Sequence, residues 1–418
     1  MGSALIAGET SLAYDEIFTL TYVTGRSVGI GSYLVRLGQR VIQKASQPII
    51  LTGINALNKI LGRDVYVSNL QIGGPQIMSS NGVSHIIVKD DLEGVYEIIR
   101  WLSYVPVNRN ECLPILLSKK TDCSDSVYQF CDGDDPRLLL IGNKNKDGKW
   151  LSGLLDYESF QETLSGWAPS VICGRGRIGG IPIAVIMTET RTTSIKIPSD
   201  PGNLTSESQL VQYAGHVWYP DSAFKTSQMI RDADREGLPL FIIANWRGFS
   251  GGQRDLYDGI LQAGSLIVDA LRNYRQPVFV YLPPGGELRG GSWVVLDTAI
   301  NPEKIEMYAD PTARAGIMEP VGIVNVKYRQ NQLIEAMQRL DPQLQRTLSK
   351  DKILEENRIK ELTGVFNQVA IHFADLHDRP GRMLAVGAIK AIVPWQEART
   401  TFYRRLCERL GIAASKLV

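Results

Sequence analysis

Six short apolar runs, QPIILTG, VSHIIVKDD, PSVICG, IPIAVIMTE, LPLFIIANW and QPVFVYLPP, punctuate the sequence. They are rich in β-branched and aromatic residues and bounded by glycine, proline or polar residues, so each predicts a short buried strand. Between them lie glycine-rich turns and stretches with apolar residues every three or four positions, the alternation that builds α/β layers. No apolar run reaches the 18 residues needed to span a bilayer.

A chain of 418 residues has material for two or three cores. One polar, turn-rich stretch, KKTDCSDSVYQFCDGDDP between Lys119 and Pro136, breaks the pattern and predicts a linker or long surface loop. It divides the chain into residues 1–118 and 137–418. After Arg329 the text turns helical, in QLIEAMQRLDPQLQRTL and DKILEENRIKELTGVFNQVAIHFADLHD, so a helical extension is expected from about residue 330, packed on the second unit or on a partner.

Lys+Arg 45 against Asp+Glu 44 gives a net charge of +1, which leaves no broad basic field for nucleic acid or an anionic membrane. Any phosphate site must be local. Cys112, Cys123, Cys131, Cys173 and Cys407 form no CxxC pair, which argues against a disulfide framework or structural zinc and for a reducing compartment. The start, MGSALIAGETS, lacks the basic flank and apolar core of a signal peptide.

Conventional catalytic motifs are missing. GRGRIGG at Gly174–Gly180 contains G-x-G-x-x-G, but IPIAVIM follows where a dinucleotide fingerprint needs a helix, so a hairpin turn is the better expectation. There is no P-loop and no G-x-S-x-G elbow. His85, His216, His372 and His377 are too scattered to propose a metal site. Catalysis, if any, is expected to be non-covalent and metal-free.

What remains is a set of backbone-rich turns. ANWRGFSGGQRD (Ala244–Asp255) places an arginine among glycines where a strand gives way to a helix, a pattern suited to a carboxylate or phosphate, with a plain turn and a stray surface arginine as the alternative. VGIGSY and RGGSW put small residues at the mouth of a helix or tight turn. Paired amides there would stabilise an oxyanion; close helix packing is the competing explanation.

ANWRGFSGGQRD, YLPPGGELRGGSWVVLD, EMYADPTARAGIMEP and WYPDSAFKT resemble the carboxyltransferase region of eukaryotic multidomain acetyl-CoA carboxylase, and the likeness runs along nearly the whole chain. The resemblance implies an α/β crotonase-like (ClpP/crotonase) ββα superhelix in two subdomains with C-terminal helices. It implies a reaction that moves a carboxyl group from carboxybiotin to acetyl-CoA, making malonyl-CoA for fatty acid synthesis. A relative acting on propionyl-CoA, or an inactive piece serving as an assembly surface, are the alternatives. By the same resemblance, amides around Gly29 and Ile30 would serve the thioester oxygen, and those of Gly291 and Ser292 the ureido oxygen of biotin. Arg247 would hold the transferred carboxylate, Glu319 would face biotin, and Arg26, Lys327 and Arg329 would meet coenzyme A. Without the resemblance, NVKYR reads as the solvated face of an edge strand.

Relatives begin upstream of GSALIAG and run on past RRLCERLGIAASKLV, and neither a biotin-carrying M-K-M sequence nor an ATP-binding module occurs here. Biotin carboxylase and carrier domains are therefore expected as partners. A homodimer with composite sites is expected too, in the cytoplasm or a plastid.

Overall fold

The GRGRIGG stretch ends one strand and turns at Gly179–Gly180 into a hairpin, and the sheet that grows from it organises most of the molecule. In this computed structural model residues 2–108, 111–116, 127–131, 133–327, 330–347 and 352–412 are described. Residues 117–126 and 132, in and beside the expected linker, lie outside them, as does Arg329.

The first unit contains α1 (Gly2–Glu16), β1 (Thr21–Val23), α2 (Ile30–Leu37), β2 (Val41–Lys44), β3 (Ile86–Val88) and α3 (Asp91–Leu102). Its strands form a parallel sheet in the order β1-β2-β3. The second unit adds β4 (Gln161–Thr163), β5 (Val171–Ile178), β6 (Ile181–Thr188), α4 (Pro220–Arg235), β7 (Leu240–Ile243), α5 (Ile260–Arg272), β8 (Val278–Leu282) and β9 (Ile305–Ala309). It ends with α6 (Pro320–Lys327), α7 (Lys352–His377), β10 (Ala391–Ile392) and α8 (Trp395–Leu410). Its sheet runs β10-β9-β8-β7-β6-β5-β4, parallel from β6 to β10 and antiparallel across the β4, β5 and β6 pairs.

The strand runs are continuously apolar because this sheet is covered on both faces. Ile242, Val278 and Val280 pack beneath α4 and α5 with Met229, Ile230, Ile267 and Leu271. Their alternates Phe241, Ile243, Phe279 and Tyr281 face the other way, against Trp395, Phe402 and Leu406 of α8. Each such large side chain contributes roughly 1.5–3 kcal/mol on burial. The C-terminal region is thus partly core: β10 completes the sheet and α8 seals it.

The edge-strand interpretation of NVKYR is corrected for Asn325–Lys327. Val321–Val326 continue a helix begun at Pro320, and Lys327 is its last residue. Proline suits a first helical turn, and Val324 is buried in a helix that packs against α7, so tertiary contact overrides the β-branched preference.

The two units meet across a buried ionic cluster. Glu236, just past α4, accepts from Arg40 Nε at 2.5 Å and from Arg175 Nε and Nη2 at 2.5 and 2.6 Å, all at or below 1% side-chain exposure. Arg40 Nη2 also donates to the Asp232 carbonyl at 3.0 Å. Tyr14 of α1 donates to the Asp232 carboxylate, and His85 Nε2 stands 3.9 Å from it. Val41 N–H donates to His85 Nδ1 at 3.3 Å, so the ring carries its proton on the side facing Asp232. Arg175 lies 4.3 Å over the Trp101 ring. Among the described residues, no helix is long and apolar enough to cross a membrane, and the four cysteines form no disulfide.

Burial pushes the Glu236 and Asp232 carboxyls up, but the neighbouring cations and donors outweigh it and hold both below their ordinary range. A depressed folded-state pKa gives stability that is present above the unfolded value and lost as pH falls through the folded one, so this junction loosens in acid. Glu236→Ala would strand two buried guanidiniums. It is expected to lower the unfolding free energy by about 3–5 kcal/mol at neutral pH in urea titrations. A loss under about 1 kcal/mol would mean that the cluster does not hold the units together.

Candidate functional site

β7 ends at Ile243, and the chain leaves the sheet through Ala244, Asn245, Trp246 and Arg247. Trp246 is fully buried and stacks on Trp218 at 4.0 Å, and Trp218 in turn stacks on Phe249 at 4.9 Å. This aromatic pile fixes the backbone on either side of Arg247 while leaving its side chain 54% exposed. The Arg247 N–H donates to the His216 carbonyl at 2.8 Å.

The next two strands deliver the opposite wall. After β8 comes a short strand, Glu287–Arg289, paired in parallel with Arg314–Gly316, which follows β9. Glu287 Oε2 stands 3.9 Å from Arg247 Nε and 3.2 Å from Arg289 Nε. Arg289 is buried, paired with Asp378, and also donates to the Met318 carbonyl at 3.3 Å. Burial holds Asp378 above its usual range, with the Arg289 guanidinium pulling the other way. Arg247, Glu287, Arg289 and Glu319, with Gln368 and His372 of α7, line one open cleft of about 410 Å³. The structure therefore brings Arg247 and Glu319 together.

The two small-residue turns share one plan. Gly29 at φ +59° and Gly290 at φ +53° each turn the chain into a helix through the left-handed region that favours glycine. First-turn amides have no intrahelical acceptor, which leaves those of Gly291 and Ser292, and of Ile30 and Gly31, free of helix bonds. Gly29 differs from the expectation: its own N–H donates to the Ile50 carbonyl at 3.0 Å, so the open pair in that turn is Ile30 and Gly31. Ser292 is fully buried and its hydroxyl has no partner among the described residues. Gly291 lies against Phe249, one aromatic ring away from the Arg247 turn.

The other expected residues are not gathered here. Gly29, Ile30 and the exposed Arg26 belong to the first unit, and no hydrogen bond or ion pair among the described residues joins them to the cleft. Lys327 is exposed at the end of α6. Sequence reasoning missed Glu287, Arg289 and Asp378. GELR carried a signal for the first two, because residues two apart on a strand share a face. Nothing local marks Asp378. Among the described residues no group of three His, Cys, Asp or Glu could hold a metal ion.

Comparison with known proteins matches a carboxyl transferase domain family to residues 1–410. Acetyl-CoA carboxylase 2 of Oryza sativa subsp. japonica is 53% identical over 98% of this chain, which covers 18% of that protein. Acetyl-CoA carboxylase 2 of Arabidopsis thaliana is 52% identical over 100% of the chain and 18% of its own length. Acetyl-CoA carboxylase of Schizosaccharomyces pombe is 53% identical over 98% of the chain and 19% of its length. The chain thus spans under a fifth of these relatives. Among solved structures, transcarboxylase 12S with methylmalonyl-coenzyme A and methylmalonic acid bound aligns with a TM-score of 0.72 at 16% identity, over 99% of this chain and 69% of that one.

Proposed function

This chain belongs to the carboxyl transferase domain family, with its crotonase-like α/β fold, and we propose that it carries out the carboxyltransferase half-reaction of acetyl-CoA carboxylase, taking a carboxyl group from biotin to acetyl-CoA. The observation that carries this proposal is the cleft in which a half-exposed Arg247 guanidinium stands beside a turn with unbonded amides. Biotin, delivered on a carrier domain made elsewhere, supplies the transferable carboxyl group and a nitrogen base. The donors fit such a guest: first-turn amides free of helix bonds and, among the described residues, an unpartnered buried Ser292 hydroxyl and a cation with its terminal nitrogens uncommitted.

In this proposal the Arg247 terminal nitrogens hold the transferred carboxylate by paired hydrogen bonds. The Gly291 and Ser292 amides face the ureido oxygen, and Glu319 stands on the same wall. In the first unit, the amides after Gly29, chiefly those of Ile30 and Gly31, face the thioester oxygen, where each donor is worth ~3–4 kcal/mol of barrier. Arg26, Lys327 and Arg329 meet the phosphates of coenzyme A. Identity above 50% to relatives named acetyl-CoA carboxylase favours acetyl-CoA over propionyl-CoA. We assign the two subdomains to 1–118 and 137–418 and the protein to the cytoplasm or a plastid, with biotin carboxylase and carrier domains as partners.

A composite site would account for two amide pairs that no hydrogen bond or ion pair among the described residues joins. If Arg26 and the Gly29 turn of one chain face Arg247 and the Gly291 turn of another, a two-fold dimer makes two identical sites. Mixing a variant disabled at Arg26 with one disabled at Arg247 is then expected to restore up to about a quarter of normal activity after random reassociation. No recovery would place each site within one chain.

Arg247→Ala is expected to lower carboxyl exchange between malonyl-CoA and free biotin by a factor of roughly 100 with the fold intact, because a charge-assisted bidentate contact is lost. Lysine should rescue it only in part. Steady-state rates within about threefold of the parent would remove Arg247 from the role of clamp.

Arg26→Ala and Lys327→Ala are expected to weaken malonyl-CoA binding more at low salt than at high salt, since exposed phosphate contacts are screened. Inhibition constants for dephospho-coenzyme A unchanged from the parent would take both residues out of the site.

A further inference from the structure

Glu287 stands where a pocket for a carboxylate would ordinarily exclude another carboxylate. Its Oε2 contacts Arg289 Nε at 3.2 Å and Arg247 Nε at 3.9 Å, inside the cleft. Arg289 is already paired with Asp378, so its charge is balanced without help. Arg247 has no other carboxylate within ion-pair distance among the described residues. The approach is made to the Nε edge of the guanidinium, and at a distance longer than a hydrogen bond. The two terminal nitrogens are left for another acceptor.

Glu287 is itself held from behind. Its backbone N–H donates to Asn245 Oδ1 at 2.9 Å. His216 Nδ1 faces both the carbonyl and the side-chain oxygen of Asn245, at 2.9 and 3.1 Å. With an oxygen at each contact, Nδ1 is the nitrogen that carries the proton. His216 has φ +65°, a costly conformation for a residue with a side chain, of the kind that clusters at functional sites. Its carbonyl receives the Arg247 N–H. One strained histidine thus fixes the Arg247 backbone directly and the Glu287 backbone through Asn245.

We infer that Glu287 is a positioning residue for Arg247: it draws the Nε edge of a half-exposed, otherwise free guanidinium to the cleft wall and turns the terminal nitrogens outward. The inference rests on the assignment of Arg247 as the carboxylate clamp. Because Glu287 acts through Arg247, it matters only while Arg247 is present.

The test is a double-mutant cycle in the full-length protein, with exchange between malonyl-CoA and free biotin as the assay. Glu287→Ala is expected to lower kcat by roughly 10- to 100-fold, the scale of a misplaced binding group, with KM changed far less and the melting temperature retained. Glu287→Gln, which keeps the shape and loses the charge, should fall between it and the parent, and it carries the same cycle if the alanine variant does not fold. Added to Arg247→Ala, either change should cost nothing further. Multiplicative losses in the double variant, or Glu287→Ala within about twofold of the parent, would overturn the positioning role. Full activity in Arg247→Ala alone would instead overturn the clamp assignment beneath it.

Discussion

A buried carboxylate between two guanidiniums lies at the junction of the two halves of this molecule, beside the bonds that Arg100 and Tyr104 give to the carbonyls of Phe160 and Ser159. Glu236 extends from the end of α4 in the second unit and is gripped by Arg40 from the first and by Arg175 from β5. Such a cluster is poor evidence for stability in itself, since desolvating three charges offsets most of their attraction. Its effect is on geometry. Few other orientations of the two units would leave all three charges paired, so the cluster selects one. Asp232, His85 and Tyr14 extend the same polar seam, and the buried Trp101 ring lies against Arg175.

From that junction the second sheet sets the site. β7, β8 and β9 run parallel, and the turns beyond their carboxyl ends carry Arg247, Glu287 with Arg289, and Glu319 in that order. Neighbouring parallel strands leave the sheet at one edge, which is where open α/β sheets gather their ligand-binding groups. The stacked Trp218, Trp246 and Phe249 then convert an exposed turn into a rigid one. Rigidity matters here because electrostatic catalysis depends on donors that are in place before charge develops.

Much of the fold was legible in the sequence. Four of the apolar runs became β5 to β8, VSHIIVKDD became β3 and QPIILTG the short strand Ile49–Ile50, GRGRIGG closed a hairpin, and the charged stretch after residue 352 became the long α7, because each depends on local pattern. Arg247 and Glu319 were marked by their glycine-rich and family-like surroundings, and the structure sets them in one cleft. Where local pattern and tertiary contact disagreed, contact prevailed: a β-branched segment ending in Lys327 is helical because it packs on α7.

The sequence alone determined the layer type, the strand positions and the residue chemistry of the turns, all matters of spacing within a dozen residues. Only the tertiary structure decided that Glu287 contacts Arg247 across 40 positions, that Asp378 neutralises Arg289 from 89 positions away, and that Arg40 meets Glu236 across 196. It also decided that the Gly29 amide is taken by Ile50, a pairing with a strand 21 residues on. Charges and amides have no sequence signature for their partners, because which ones pair depends on the packed core that brings distant segments together.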